Sequence, residues 1–309
     1  MPGNLSHCSR LTYLDLSNNR LEKIPLHFVS LSNLKLLDLS QNNLIGGIPS
    51  SLGNLTSLEE LRLSLNPLLG GNIPDSLGQL RKLKFLVLEN NNLSGKVPSS
   101  LYNLSSLTAI SMFLNKLHGN LPPNLGLTLP NLNFFQLSYN FFSGSIPVSL
   151  SNASQLNSLI LGGNNFSGKL SVDFGGMQHL QKLVVHQNNL GGGEIDEMNF
   201  INSLVNCSEL LLLVIRENHF KGALPHSIAN LSTTLQILSA VQNQLYGSIP
   251  PGIANLVSLS LLDLSDNQFT GSIPEEIGKL QNLQKMGLMV TNSQRKYLPL
   301  RKFVCITIT

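Results

Sequence analysis

The sequence predicts an α/β solenoid, with a parallel β-sheet on a concave face and short 3₁₀ or helical turns on a convex face. Two observations lead there. A Leu-x-x-Leu-x-Leu-x-x-Asn frame opens at Leu11, Leu34, Leu58, Leu83, Leu107, Leu132, Leu156, Leu180, Leu210, Leu235 and Leu259, at intervals of 23 to 30 residues, with a degraded copy at Leu283. After the asparagine, many copies carry a Leu-x-Gly-x-Ile-Pro element, as at residues 93–98, 142–147, 220–225 and 269–274. Self-similarity at this period marks a stack of coils, each too small to bury its own apolar side chains.

The elements of one coil follow in order. Leu14 and Leu16 alternate with polar neighbours, the period-two signature of a half-buried strand. One strand per coil pairs in parallel with the next. The frame asparagines, from Asn19, Asn42 and Asn66 through Asn140 to Asn267, stand where the chain turns inward. A buried turn needs its N–H and C=O groups paired, and a primary amide offers both donor and acceptor. The glycine then permits a backbone geometry or close approach that a Cβ would block, and the proline fixes φ and ends the extended piece. A short outer turn follows, as at residues 52–55 and 77–80.

This reading assigns residues 1–290 to the solenoid, with a wide repeat at 180–209, and residues 291–309 to a non-repeat basic tail. The net charge of +3 misleads, because Arg295, Lys296, Arg301 and Lys302 lie in that tail. Without them the basic and acidic residues nearly balance, so nucleic acid is a poor partner. No run of 18 apolar residues spans a bilayer, no signal peptide opens the chain, and no kinase motif appears. Neither a catalytic set nor a metal-ligand cluster is legible, and no cofactor is expected. Cys8 and Cys207 occupy a slot filled elsewhere by Leu31, Leu55, Leu80, Leu104 and Leu256, so both read as buried leucine substitutes; Cys305 has no assignment. Without paired cysteine caps, apolar coil faces should stand open at both ends.

The Gly-x-Ile-Pro element and the modal period of 24 resemble the plant-specific class of leucine-rich repeats, whose coils build a right-handed superhelix. Residues 191–208, with Phe200-Ile201-Asn202-Ser203-Leu204-Val205-Asn206-Cys207-Ser208, are similar to a segment of plant receptor-like kinases related to the EF-Tu receptor and the rice blight-resistance receptor. The resemblance implies a ligand-recognition module from the ectodomain of an immune or developmental receptor at the extracellular side of the plasma membrane. It also implies a peptide or protein ligand and a co-receptor kinase, with membrane attachment only through segments absent from these residues. The family's kinase activity does not carry over to this polypeptide. Two other readings compete: a secreted inhibitor of microbial cell-wall enzymes, similar to the polygalacturonase-inhibiting proteins, and a truncated non-signalling fragment.

Strand side chains between the leucines map the expected ligand face. Phe85, Phe113, Phe134 and Tyr139 with Ile160 and Val184 form an apolar stripe, with Val87 and Gln136 beside it. Arg62, His186 and Arg216 flank the stripe and can hold peptide carboxylates. His186 is read as exposed. Glu194, Asp196 and Glu197 read as the solvated start of a loop, and residues 196–205 as a short helix that packs Phe200, Ile201 and Leu204 on the outer face. Asn-x-Ser/Thr sequons at Asn4, Asn54, Asn92, Asn103, Asn152, Asn165, Asn206 and Asn230 suit a glycosylated protein.

Overall fold

A computed structural model describes residues 7–25, 28, 30–192 and 197–289. The sequon at Asn4, the acids Glu194 and Asp196, Cys305 and the basic tail lie outside the described residues. The chain forms two compact units, Met1–Leu156 and Asn157–Thr309.

In the first unit the strands Tyr13–Asp15, Leu36–Asp38, Glu60–Arg62, Phe85–Val87, Ala109–Ser111 and Phe134–Gln136 pair in parallel, each with the next. The second unit repeats this with Ser158–Ile160, Lys182–Val184, Leu212–Val214, Ile237–Ser239, Leu261–Asp263 and Lys285–Gly287. The degraded twelfth frame therefore still supplies a strand. In nearly every strand the middle residue is buried and its two neighbours face outward, as the alternation predicts.

The outer turns also match expectation. Pro49, Pro74, Pro147, Pro225, Pro250 and Pro274, each with φ between −59° and −70°, precede 3₁₀ helices such as Ser50–Asn54, Asp75–Gln79 and Pro251–Asn255. The locked proline φ ends the extended piece and leads the chain into the turn. Leucines from strand, turn and connector then meet in one core: Leu77, Leu80, Leu83, Leu86, Leu88 and Leu93 are fully buried in a single coil. Each such side chain stabilises the stack by about 1.5–3 kcal/mol.

The asparagine ladder closes the inward turn. Asn140 Nδ2 donates to Met112 O of the preceding coil at 2.8 Å and to Leu137 O of its own coil at 3.0 Å, while its Oδ1 accepts the Leu117 N–H at 3.0 Å. Asn42, Asn66, Asn115, Asn188, Asn218, Asn243 and Asn267 repeat the scheme and are buried. Asn19 differs: it is exposed, and its side-chain amide donates to Leu16 O and Ser17 O of its own coil. The residue before the ladder asparagine takes a left-handed conformation throughout, at φ between 51° and 59° in ten coils, whether it is Asn18, Leu65, Leu114, Tyr139 or Glu217. For leucine or tyrosine this costs about 1–2 kcal/mol.

From Asn66 onward the extended pieces after the ladder asparagines pair laterally in two sets, whose strand pairing the repeat reading did not trace. Asn66–Asn72, Asn91–Lys96, Lys116–Asn120 and Phe141–Gly144 pair in parallel in the first unit. In the second unit Asn165–Gly168 pairs with Asn189–Leu190, and a separate set begins at Lys221–Ala223 and continues through Gln244–Gly247 and Gln268–Phe269. The wide repeat lies between these two sets. Glu197 corrects the expectation that it starts a solvated loop, because it is 2% exposed. One carboxylate oxygen accepts the Gly192 N–H at 2.5 Å and the other the Lys221 N–H at 2.7 Å. Two backbone donors left by the interrupted sheet attract the charge inward. The helix Phe200–Leu204 buries Phe200, Ile201 and Leu204 as predicted.

If the ladder sets the fold, Asn140→Leu should lower stability by about 3 kcal/mol or more, because several buried backbone groups lose partners together. Asn19→Leu, at an exposed turn, should cost less than about 1 kcal/mol. Urea unfolding of the two variants measures the difference.

Candidate functional site

The outward side chains of the main strands form rows that follow the register. In the first unit one row runs Tyr13, Leu36, Glu60, Phe85, Ala109, Phe134, and the other Asp15, Asp38, Arg62, Val87, Ser111, Gln136. Phe85 and Phe134 thus stand two strands apart, about 10 Å, with only the Ala109 methyl between them. That leaves an apolar notch floored by a small side chain. Beyond the strand ends, Phe113 meets Tyr139 edge to face with ring centroids 5.6 Å apart. Phe85 and Tyr139 are exposed, while Val87, Phe113, Phe134 and Gln136 are half-buried.

In the second unit one row runs Ser158, Lys182, Leu212, Ile237, Leu261, Lys285, and the other Ile160, Val184, Val214, Ser239, Asp263, Gly287. Ile160 and Val184 face outward as predicted, half-buried beside Val214. Sequence reasoning missed Leu212, Ile237 and Leu261, which make this face more aliphatic than expected. Leu212 sits in the unbroken apolar run 210–215, where alternation is invisible. Counting the third position of every frame would have found all three.

The basic flank differs from expectation. Arg62 pairs with Glu60, its outward neighbour on the same strand, and Arg216 pairs with the adjacent Glu217. Glu217 also accepts from Gln187 Nε2 at 2.8 Å. Both guanidinium charges are therefore already balanced. His186 is buried, not exposed, which corrects the sequence reading. Its ring lies over Gly162 of the preceding coil, where a Cβ would come within 2.3 Å of the imidazole. The missing side chain at Gly162 provides the space that draws the ring in. Burial pushes the imidazole below its ordinary pKa, the Arg216 charge adds to this, and Glu217 opposes it.

The cysteines divide. Cys207 fills the leucine slot as expected, fully buried, with Sγ 3.4 Å from Phe174 O. Burial and the nearby Asp173 carboxylate push its thiol up to about 12. Cys8 is exposed, which corrects its assignment as a buried leucine substitute. It belongs to the first described coil, whose frame leucines Leu11 and Leu16 are themselves only half-buried. Among the described residues no group of His, Cys, Asp and Glu is placed to hold a metal ion, and no helix is long and apolar enough to cross a membrane.

All seven described sequon asparagines are exposed. Asn54, Asn103, Asn152 and Asn230 end 3₁₀ helices of the outer turns, Asn206 follows the Phe200–Leu204 helix, and Asn92 and Asn165 begin lateral strands or lie next to their start. None stands on the outward rows of the main strands.

Parallel strands stacked one per coil, leucine cores, 3₁₀ outer turns and an asparagine ladder define a leucine-rich-repeat solenoid. Two leucine-rich-repeat family models match, one over residues 9–68 and the other over 57–80, 82–104, 131–153 and 258–280. The chain carries leucine-rich repeats and is similar to the ectodomains of plant leucine-rich-repeat receptor-like kinases. It is 45% identical over 91 residues to the receptor kinase-like protein Xa21 of Oryza sativa subsp. japonica, covering 29% of this chain and 9% of that protein. It is 43% identical over 88 residues to the receptor-like serine/threonine-protein kinase EFR of Arabidopsis thaliana, covering 28% of this chain and 8% of that one. The matched stretches thus span less than a tenth of the length of these relatives. Among solved structures, PEPR1–AtPEP1 superposes with a TM-score of 0.84 at 34% identity, over 93% of this chain and 39% of that one. The plant peptide hormone receptor RGFR1 in complex with RGF2 gives 0.71 at 29% identity, over 94% and 53%.

Two outcomes follow from these environments. In the native chain Cys8 should react with iodoacetamide at neutral pH while Cys207 reacts only after denaturation, as read by mass spectrometry of the two peptides. The folded-state pKa of His186 lies below its unfolded value, so its contribution to stability is complete above about pH 6.5 and is lost as the pH falls below it. His186→Asn should flatten the fall in melting temperature between pH 7 and pH 5; an unchanged slope would refute the assignment.

Proposed function

We propose that the chain is the ligand-sensing part of a plant receptor and binds a peptide or protein on the outward rows of its main strands. The observation that carries this reading is the notch Phe85–Ala109–Phe134. Exposed aromatics on a strand face desolvate well and lose little entropy on binding. Val87 and Gln136 border the notch in the neighbouring row, and Phe113 with Tyr139 extends the apolar surface past the strand ends. Ile160, Val184 and Val214, with Leu212, Ile237 and Leu261, give the second unit an aliphatic face of its own. Arg62, His186 and Arg216 act in this reading by shaping that surface rather than as open cations, since two are ion-paired and one is buried.

Two further observations support it. The sequons leave the main-strand rows clear, so glycans at Asn54, Asn92, Asn103, Asn152, Asn165, Asn206 and Asn230 would cover the outer turns and part of the lateral side. Solved receptors of similar fold include the plant peptide hormone receptor RGFR1 in complex with RGF2 and the HAESA ectodomain in complex with an IDA peptide hormone ligand. The relatives Xa21 and EFR are receptor kinases, which suits a cell-surface setting in immunity, with a co-receptor kinase as the second partner that the family resemblance implies.

A peptide selected from a random display library on the immobilised, glycosylated chain tests the site. Phe85→Ala or Phe134→Ala should weaken its binding about thirtyfold, whereas Leu127→Ala, on the exposed outer turn, should leave it unchanged. Selected peptides that ignore both phenylalanine variants would sink the proposal.

A further inference from the structure

The lateral sheet of the first unit carries a second surface. Phe141 (55% exposed), Leu114 (46%) and Tyr139 (42%) stand together where the main strands give way to that sheet. Leu114 and Tyr139 occupy equivalent slots on adjacent coils, with the Leu114 N–H bonded to Ser138 O at 3.0 Å and the Asn115 N–H to Tyr139 O at 3.2 Å. Both hold the left-handed conformation, at φ 54° and 55°. Asn18, Gln41, Asn90, Gly163, Gln187, Glu217, Gln242 and Asp266 fill that slot elsewhere, with Leu65 the one other large apolar side chain among the described coils. An exposed leucine and tyrosine there add strain and apolar exposure, and neither contributes to the core.

Three nitrogen bases border these side chains. In the lateral register Ser94 faces Lys116, Lys96 faces His118, and His118 faces Phe141. All three bases are exposed, and no carboxylate of the described residues forms an ion pair with any of them. Lys96 is also held in place. Its stem lies across Gly119 (φ 103°), where a Cβ would come within 3.1 Å of Lys96 Cγ. Asn72 and Asn120 lie in the same way over Gly95 and Gly144, so a fixed side chain over a left-handed glycine is built into the coil. At this coil the fixed side chain carries a charge. Ordering a lysine stem in advance removes part of the entropy cost of using its ammonium.

We infer that Lys96, Lys116 and His118 with Leu114, Tyr139 and Phe141 form a docking surface for an acidic segment of a partner protein, one with aliphatic or aromatic side chains set between its carboxylates. Unpaired bases call for anions, and the strained, exposed apolar side chains beside them call for an apolar insert. A purely anionic ligand would leave Phe141 and Leu114 in water, and a purely apolar one would bury the bases without partners. Lys96, Lys116, His118 and Phe141 lie on the lateral strands, so the surface shares only Tyr139 with the proposed main-strand site, and the Phe85 variant separates the two.

Three labelled synthetic dodecapeptides test it against the full chain by fluorescence anisotropy: Glu alternating with Leu and Phe, Lys alternating with the same apolar residues, and Glu alternating with Ser. The first should bind at least tenfold more tightly than the other two, with an affinity that falls as salt rises. Lys96→Glu with Lys116→Glu should cost it tenfold or more and shift preference to the Lys peptide. Phe141→Ser should weaken it about tenfold, and Phe85→Ala should leave it unchanged. Lys116→Gln, with a melting temperature equal to the parent chain, guards against a folding artefact and should give an intermediate loss. Equal binding of the acidic and basic peptides, or indifference of the acidic peptide to the lysine variants, would overturn the inference.

Discussion

The buried inward turn is the constraint on which the other features depend. Each coil must reverse direction next to a leucine core, where its backbone donors and acceptors cannot reach water. A single amide side chain resolves this by donating to carbonyls of two coils and accepting an N–H of one. Because the amide must reach back one coil, spacing, register and backbone conformation are fixed together. The left-handed residue before it follows from the same geometry. Its conformation persists through Asn, Gln, Leu, Tyr, Glu and Asp, so the turn imposes φ rather than the residue choosing it. Stability in such a stack lies between neighbours, and the terminal described coils, with half-buried frame leucines, have fewer of them.

Most of this was legible in the sequence because the coil repeats its physics. Strands, ladder asparagines, proline-led outer turns and the short helix around Phe200 all follow from spacing. What stayed hidden depends on contacts between coils at single positions. The lateral sheets were half legible: the sequence marks a short extended piece ended by proline, and only neighbouring coils show what it pairs with. His186 reads as a strand-face histidine in its own frame, and only Gly162 one coil earlier shows why it is buried. Glu197 looks like one acid of a solvated run, and its burial depends on two amide donors far apart in sequence. Cys8 and Cys207 share a slot but not a position in the stack. Leu212 was hidden because an all-apolar run erases the distinction between inward and outward, whereas Ile237 and Leu261 stand at an outward frame position beside polar neighbours.

Recognition rather than catalysis fits the surfaces the chain displays. Apart from the lateral bases Lys96, Lys116 and His118, its ionisable groups are mostly paired, buried or scattered, while apolar side chains collect on particular outward rows. The core is uniform from coil to coil, so individuality is confined to strand faces, left-handed slots and lateral strands. A change at Phe85 or Leu114 alters what the surface presents without disturbing the leucines beneath.

The carboxylate of Glu197 acts as a splice. By accepting one amide proton from the end of a lateral sheet and another from the start of the next, a side chain takes the place of a strand. The coil can then be lengthened there without carrying the surplus residues into the ladder. The largest length insertion in the array is thus taken up at one joint, and coils on either side keep spacings of 23 to 25 residues.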